Sequence, residues 1–86
     1  MHELSLALEV CRLAEAVLER EGGAAIRGVG VEVGDDAGIE RENFRFCLTA
    51  LFTEPPFRGA QAELLPSAGD TLRLAYVEVD DGRPDD

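Results

Sequence analysis

The apolar residues of positions 5–21 are spaced as one face of an amphipathic helix, and this spacing constrains the fold more than any other feature. They recur every three or four residues as one stripe, Leu6, Val10, Leu13 and Val17, which is widened by Leu4, Leu8, Cys11 and Leu18. Ser5 is the predicted N-cap, and the Gly22-Gly23 pair is predicted to end the helix. The sequence therefore predicts a first helix over residues 5–21.

Alternation of valine with small or charged residues predicts a strand over residues 25–33. Valine occupies positions 29, 31 and 33, whereas positions 28, 30 and 32 hold Gly, Gly and Glu, so one face is apolar and the other is nearly bare. A second helix is predicted over residues 40–52, with one apolar face formed by Phe44, Cys47, Leu48 and Leu51. The Pro55-Pro56 pair ends this helix, because proline cannot continue it.

Two further strands are predicted over residues 60–65 and 71–79. The residues between them, 66–70, have turn composition, and this pattern is typical of a hairpin with a five-residue loop. In the last strand Leu72 and Leu74 have one parity, whereas Val77 and Val79 have the other. A β-bulge near Ala75-Tyr76 would place all four side chains on the same side.

These elements predict one α+β domain over residues 1–79, followed by an acidic, flexible tail at 80–86. Two helices are expected to pack on one face of a small three-stranded mixed sheet, in the order α-β-α-β-β. The N-terminal residues 1–4 are expected along a sheet edge. Because the outer face of the sheet carries few charges at its edges, a second copy or another protein is expected to cover it, and a homodimer is one such assembly.

Composition excludes several classes of function. The 86 residues carry 18 acidic and 8 basic side chains, for a net charge of −10, so a nucleic acid backbone would be repelled. No apolar run is long enough to span a bilayer, and the protein is expected to be soluble and cytoplasmic. Two cysteines and one histidine do not suffice for a four-ligand structural zinc site. Cys11 and Cys47 lie on apolar helix faces and are predicted to be core residues.

The single histidine lies at position 2, where it can form a chelate with the chain terminus. The α-amine of Met1 and the backbone amide nitrogen of His2 close a five-membered ring around a metal, and that amide and His2 Nδ1 close a six-membered ring. Ni(II) and Cu(II) favour such square-planar nitrogen sets. Glu3 adds a further amide and a carboxylate. The alternative is a chance histidine at a frayed end.

The first seven residues, MHELSLA, closely resemble the start of the nickel-insertion metallochaperones of hydrogenase and urease maturation, the HypA/HybF family. The resemblance continues in VGVEVG at 29–34, which is similar to that family's second strand, and in NFRFCL at 43–48, which is similar to its second helix. The segments AEL at 62–64, LRL at 72–74 and VEV at 77–79 extend it. The resemblance covers nearly all of residues 1–79, and residues 1–7 are its most specific part.

The resemblance implies that Met1, His2 and Glu3 bind Ni(II) as transient cargo. It also implies delivery to a [NiFe]-hydrogenase-type apoenzyme, its large subunit or a similar protein, with a nickel-handling GTPase as partner. Members of the family usually carry a zinc domain between their last two strands, but here residues 66–70 occupy that place as a short loop, so no zinc is predicted. Without a second histidine, the fourth nickel position falls to the Glu3 amide, a water or a donor from a partner.

No set of nucleophile, base and orienting group can be identified in the sequence, so the protein is not predicted to be an enzyme. The alternative to the metallochaperone is a protein-interaction or regulatory module of the same fold, which has lost metal delivery together with its zinc domain. An intact MHE terminus favours the first hypothesis, because the fold itself does not need a histidine at position 2. The lack of a zinc domain and of a second histidine favours the other.

Overall fold

The computed structural model describes residues 2–82 and has the predicted α+β architecture. Two helices and three strands follow one another in the predicted order: α1 (His2–Glu21), β1 (Ala25–Gly34), α2 (Arg41–Leu51), β2 (Gln61–Ser67) and β3 (Leu72–Asp80). Met1 and residues 83–86, which include most of the predicted tail, lie outside the described residues, whereas Asp80 is the last residue of β3. Among residues 2–82 there is no helix with the length and apolar character to traverse a lipid bilayer.

The sheet is mixed, with β1 in the centre and the strand order β2-β1-β3. β1 pairs with β2 in parallel, from Gly28 opposite Gln61 to Gly34 opposite Ser67, and with β3 in antiparallel orientation. The predicted hairpin is therefore wrong, because β2 and β3 lie at opposite edges of the sheet. The helix α2 returns the chain so that β2 runs parallel to β1, and the chain then crosses the end of β1 to pair with its other edge.

Helix α1 begins at His2, three residues before the predicted N-cap Ser5. The expectation that residues 1–4 follow a sheet edge is thus wrong for residues 2–4, and Met1 lies outside the described residues. Two physical causes favour the earlier start. Leu4 continues the spacing of Leu8, and the acidic Glu3 in the first turn interacts favourably with the helix dipole. At the other end, Gly22 adopts φ +69° beyond the last helical residue, as the sequence predicts.

The core lies between the sheet and the two helices. α1 packs against α2 and β3, and α2 also packs against β2. The valines at 29, 31 and 33 are buried on one face of β1, as predicted. The other fully or nearly fully buried side chains come from both helices, from the start of β1 and from the segment after α2: Ala7, Val10, Ala14, Ile26, Phe44, Leu48, Phe52 and Phe57.

The opposite face of β1 is covered by side chains of the neighbouring strand. The ring of Tyr76 lies across Gly30, and the carboxylate of Glu78 lies across Gly28. Tyr76 also donates a hydrogen bond to Glu63 on β2, so this ring spans all three strands. Side chains of β3 thus lie over two of the glycines of β1 on this face of the sheet.

The predicted β-bulge in β3 is confirmed. Gly30 lies opposite Tyr76 and Val31 lies opposite Leu74, so Ala75 is the extra residue. As a result, three of the four side chains pack against the core although their sequence parity differs, namely Leu72, Leu74 and Val77. Val79 is half-buried and lies outside this cluster.

Candidate metal site at the start of helix α1

The first turns of α1 and α2 are joined through the carboxylate of Glu3. Its Oε1 accepts a hydrogen bond from Asn43 Nδ2 at 3.1 Å, and its Oε2 accepts one from the backbone N–H of Glu40 at 3.2 Å. A single side chain of α1 thus contacts α2 through both of its oxygens. His2 directly precedes Glu3 in this first turn of α1.

The start of α2 is itself fixed to the sheet. Glu40 is the N-cap, and its side chain accepts hydrogen bonds from the backbone N–H groups of Glu42 and Asn43. One residue later, the guanidinium of Arg41 donates to the carbonyl oxygen of Val33 near the end of β1, at 3.0 Å. The first turn of α2 is therefore a fixed structure against which Glu3 is held.

Hydrogen bonding holds the pKa of the Glu3 carboxyl below its ordinary value of 4.5. The larger cause is the N–H of Glu40, and the second is the amide of Asn43. Glu3 is consequently a carboxylate at neutral pH. Since both oxygens accept hydrogen bonds from α2, this side chain serves the contact between the helices in the described structure.

His2 is the first residue of α1, and its side chain is exposed. The N–H groups of the first helical turn have no carbonyl partner within the helix, and those of His2 and Glu3 belong to this set. Met1, the third predicted ligand residue, lies outside the described residues. The structure thus places His2 and Glu3 together on an exposed helix end and leaves the α-amine undescribed.

Both cysteines pack in or against the hydrophobic core. Cys11 is buried and Cys47 is half-buried, and both are free thiols. Burial, with a smaller contribution from the charge of Glu15, raises the pKa of the Cys11 thiol to about 11, so it is protonated at neutral pH. Within residues 2–82, no group of three or more His, Cys, Asp or Glu side chains is arranged to hold a metal ion. The predicted core position of Cys11 is confirmed.

Asn43 and Glu40 are the residues of this site that sequence reasoning missed. Both lie within the predicted second helix, residues 40–52, and neither was predicted to contact the terminus. They lie 40 and 37 residues from Glu3 along the chain, and only the packing of α1 beside α2 brings them to its carboxylate. No local spacing could have indicated this contact.

The comparison with known protein families identifies the chain. A family model described as "Hydrogenase/urease nickel incorporation, metallochaperone, hypA" matches residues 1–73. The chain belongs to the HypA family. The match includes all three predicted ligand residues, and the resemblance inferred from MHELSLA is confirmed.

Individual members of the HypA family match over most of the chain. The hydrogenase maturation factor HypA of Albidiferax ferrireducens is 32% identical over 79 residues, which cover 92% of this chain and 70% of that protein. The protein of the same name from Azoarcus sp. is 32% identical over 79 residues, which cover 90% of this chain and 69% of the relative. For the HypA of Chlorobium limicola the identity is 38% over 64 residues, with 74% of this chain and 55% of the relative covered.

Proposed function

We propose that this HypA-family chain is a nickel metallochaperone that carries Ni(II) at residues 1–3, where Met1 and His2 supply the ligand nitrogens and Glu3 holds the terminus against α2. It delivers the ion to a [NiFe]-hydrogenase-type apoenzyme in the cytoplasm, with a nickel-handling GTPase as partner. The observation that carries this proposal is the position of His2, exposed on the first turn of α1 within the segment that matches the family. The names of the matched relatives, hydrogenase maturation factors, agree with this role.

The helix start suits the chemistry of nickel chelation. A backbone amide nitrogen binds Ni(II) only after it has lost its proton. Because the first-turn N–H groups have no carbonyl partner within the helix, His2 can lose its amide proton without breaking a helical hydrogen bond. The partial positive charge at the helix N-terminus also stabilises the resulting anionic nitrogen.

Ring geometry limits the fourth ligand of a square-planar ion. In the coordination plane of the ion, two ligand positions are adjacent (cis) to the His2 amide nitrogen. The Met1 amine and His2 Nδ1 would occupy both of them. The amide nitrogen of Glu3 would also have to be a neighbour of the His2 nitrogen, because the two belong to one five-membered ring. The remaining position therefore falls to a water or to a donor from the receiving protein. A ligand exchangeable at this position favours transfer of the cargo.

Two features of the chain support a chaperone that works without zinc. The connection between β2 and β3 is only four residues long, positions 68–71. The cysteine that is buried in the core is protonated at neutral pH and is a poor metal ligand in that state. The proposed partners are other proteins of nickel delivery, and the net charge of −10 disfavours nucleic acid.

A second candidate function is a protein-interaction or regulatory module that has lost metal delivery. It is favoured by large apolar side chains exposed on the helices. Phe46 on α2 is 70% exposed, and Leu8 and Leu4 on α1 are 52% and 44% exposed. Such side chains are common at protein interfaces.

Titration with Ni(II) distinguishes the two functions. The protein must begin at Met1, because added residues would remove the free α-amine. The proposal predicts an absorption band of square-planar nickel with micromolar or tighter affinity, which is lost in His2→Ala. Ser5→Ala is the matched control, since Ser5 is exposed on the same helix and should leave binding unchanged. Equal, weak binding by the wild-type protein and His2→Ala would contradict nickel delivery and favour the interaction module.

A further inference from the structure

We infer that Asn43 is a positioning residue for the nickel-binding terminus. This inference rests on the proposed site at residues 1–3. Asn43 lies on α2, far from the terminus in sequence, yet its side-chain amide donates to the Glu3 carboxylate at 3.1 Å. A carboxylate only accepts hydrogen bonds, so the NH₂ of Asn43 must face it.

The contact is not needed to start α2. The N–H groups of Glu42 and Asn43 are already bound by the N-cap Glu40. Asparagine is also a weaker helix former than alanine, and Asn43 is exposed. The side chain of Asn43 therefore contributes little to the start of α2, and among the described residues its hydrogen-bond partner is Glu3.

What the contact does is to restrain the end of α1. The first turn of a helix frays, because its backbone has few hydrogen bonds of its own. Glu3 ties this turn to α2, whose Phe44 and Leu48 are fully buried in the core. The backbone of the neighbouring His2 is thereby held in a defined place before nickel arrives.

A restrained terminus binds more tightly, because less conformational entropy is lost on binding. Removal of the Asn43 amide should lower nickel affinity roughly tenfold, the scale expected for the ordering of one residue's backbone. The ligand atoms themselves are unchanged, so the absorption spectrum of the bound nickel should stay as in the wild-type protein.

The test compares Asn43→Ala and Asn43→Asp with Thr49→Ala, an exposed position on the same helix. Three quantities are measured: nickel affinity with its absorption spectrum, the thermal unfolding midpoint, and the NMR order parameter of the Glu3 amide without metal. Asn43→Ala should reduce affinity and bring the order parameter from about 0.85 toward 0.6 or below, with an unfolding midpoint close to that of Thr49→Ala. Asn43→Asp should reduce affinity further, because two carboxylates would then face each other.

His2→Ala, measured alongside, separates this inference from the proposed function. If His2→Ala loses nickel but Asn43→Ala keeps the wild-type affinity and order parameter, Asn43 does not position the terminus and the nickel site stands. If Asn43→Ala unfolds at a much lower temperature than Thr49→Ala, its role is structural and the inference is wrong. If His2→Ala binds nickel as the wild-type protein does, the proposed site itself is wrong, whatever the order parameter of Glu3.

Discussion

Gly34 at the end of β1 lies against the backbone of Gly69 in the connection between β2 and β3. A Cβ at position 34 would overlap the carbonyl oxygen of Gly69 and lie 2.8 Å from its carbonyl carbon. The N–H of Gly34 donates to the carbonyl of Thr71 at 2.7 Å, and that of Asp36 donates to Gly69 at 2.8 Å. This close approach lets four residues cross the end of β1 and join the two edges of the sheet.

Replacement of Gly34 by alanine should therefore destabilise the protein strongly. The added Cβ would meet backbone atoms of Gly69 and Thr71, so the connection between β2 and β3 would have to move. We expect the free energy of unfolding to fall by about 2–4 kcal/mol. Gly28→Ala is the matched control, because its Cβ would meet the flexible carboxylate of Glu78, and should cost less than about 1 kcal/mol. Urea denaturation measures both. Equal losses would show that the crossing is not held by this contact.

Phe44 and Phe46, two residues apart on α2, should respond oppositely to truncation. The ring of Phe44 is fully buried, and Phe44→Ala should lower the free energy of unfolding by about 3–5 kcal/mol through lost burial and a cavity. Phe46 is 70% exposed, and Phe46→Ala should change stability by less than about 0.5 kcal/mol. Thermal unfolding of the two variants tests this, and a large loss in Phe46→Ala would contradict the orientation of α2.

The phenol of Tyr76 should titrate well above its ordinary range. The hydrogen bond to Glu63 is the main cause that raises its pKa from 10.0 to about 12. The neutral phenol is the favoured form in the folded protein, so this contribution to stability is present below pH 10 and lost as the pH rises toward 12. Because Tyr76 is the only tyrosine and the chain has no tryptophan, tyrosinate absorbance reports it directly.

In Glu63→Gln the Tyr76 pKa should fall most of the way toward 10.0, because the anionic acceptor is gone. Glu78→Gln serves as the control and should lower it less, since the charge of Glu78 is the smallest of the named causes. A wild-type midpoint near 10 would contradict the contact between Tyr76 and Glu63.

Cys11 should be alkylated only when the protein opens. Its thiol is buried and its pKa is raised to about 11, so little reactive thiolate exists at neutral pH. We expect iodoacetamide to modify Cys11 slowly in buffer and rapidly in denaturant, measured by mass spectrometry in Cys47→Ala so that only one thiol is counted. Rapid labelling without denaturant would place Cys11 at the surface. Nickel binding should be unchanged in Cys11→Ala.

Local patterns in the sequence predicted the helices and strands well, but not how the strands are arranged. The alternation at 29–33 and the spacing at 44–51 depend only on nearby residues, and the strand and helix they predict match the structure to within one residue at each end. The hairpin was wrong because a short polar loop is compatible with a turn or with a crossing. The choice between them is made by α2, which returns the chain parallel to β1.

The candidate site also has a part that local sequence predicts and a part that depends on packing. His2 could be predicted because its chelating geometry involves only the adjacent residues. The partners of Glu3 could not, since Glu40 and Asn43 reach it only after α1 and α2 have packed together. The start of α1 was missed for a related reason, because Ser5 is a good N-cap by its residue type, whereas Glu3 is fixed by a distant contact.

The extra residue in β3 has a consequence for the behaviour of the protein at high concentration. β3 is an edge strand, and Ala75 interrupts its ladder with β1. A bulge bends the strand and breaks the regular row of backbone groups that another chain would need in order to extend the sheet. Without Ala75 the strand would read Leu-Arg-Leu-Tyr-Val-Glu-Val, a regular alternation well suited to fibre growth. One inserted alanine thus makes this edge of the sheet a poorer template for a strand of another chain.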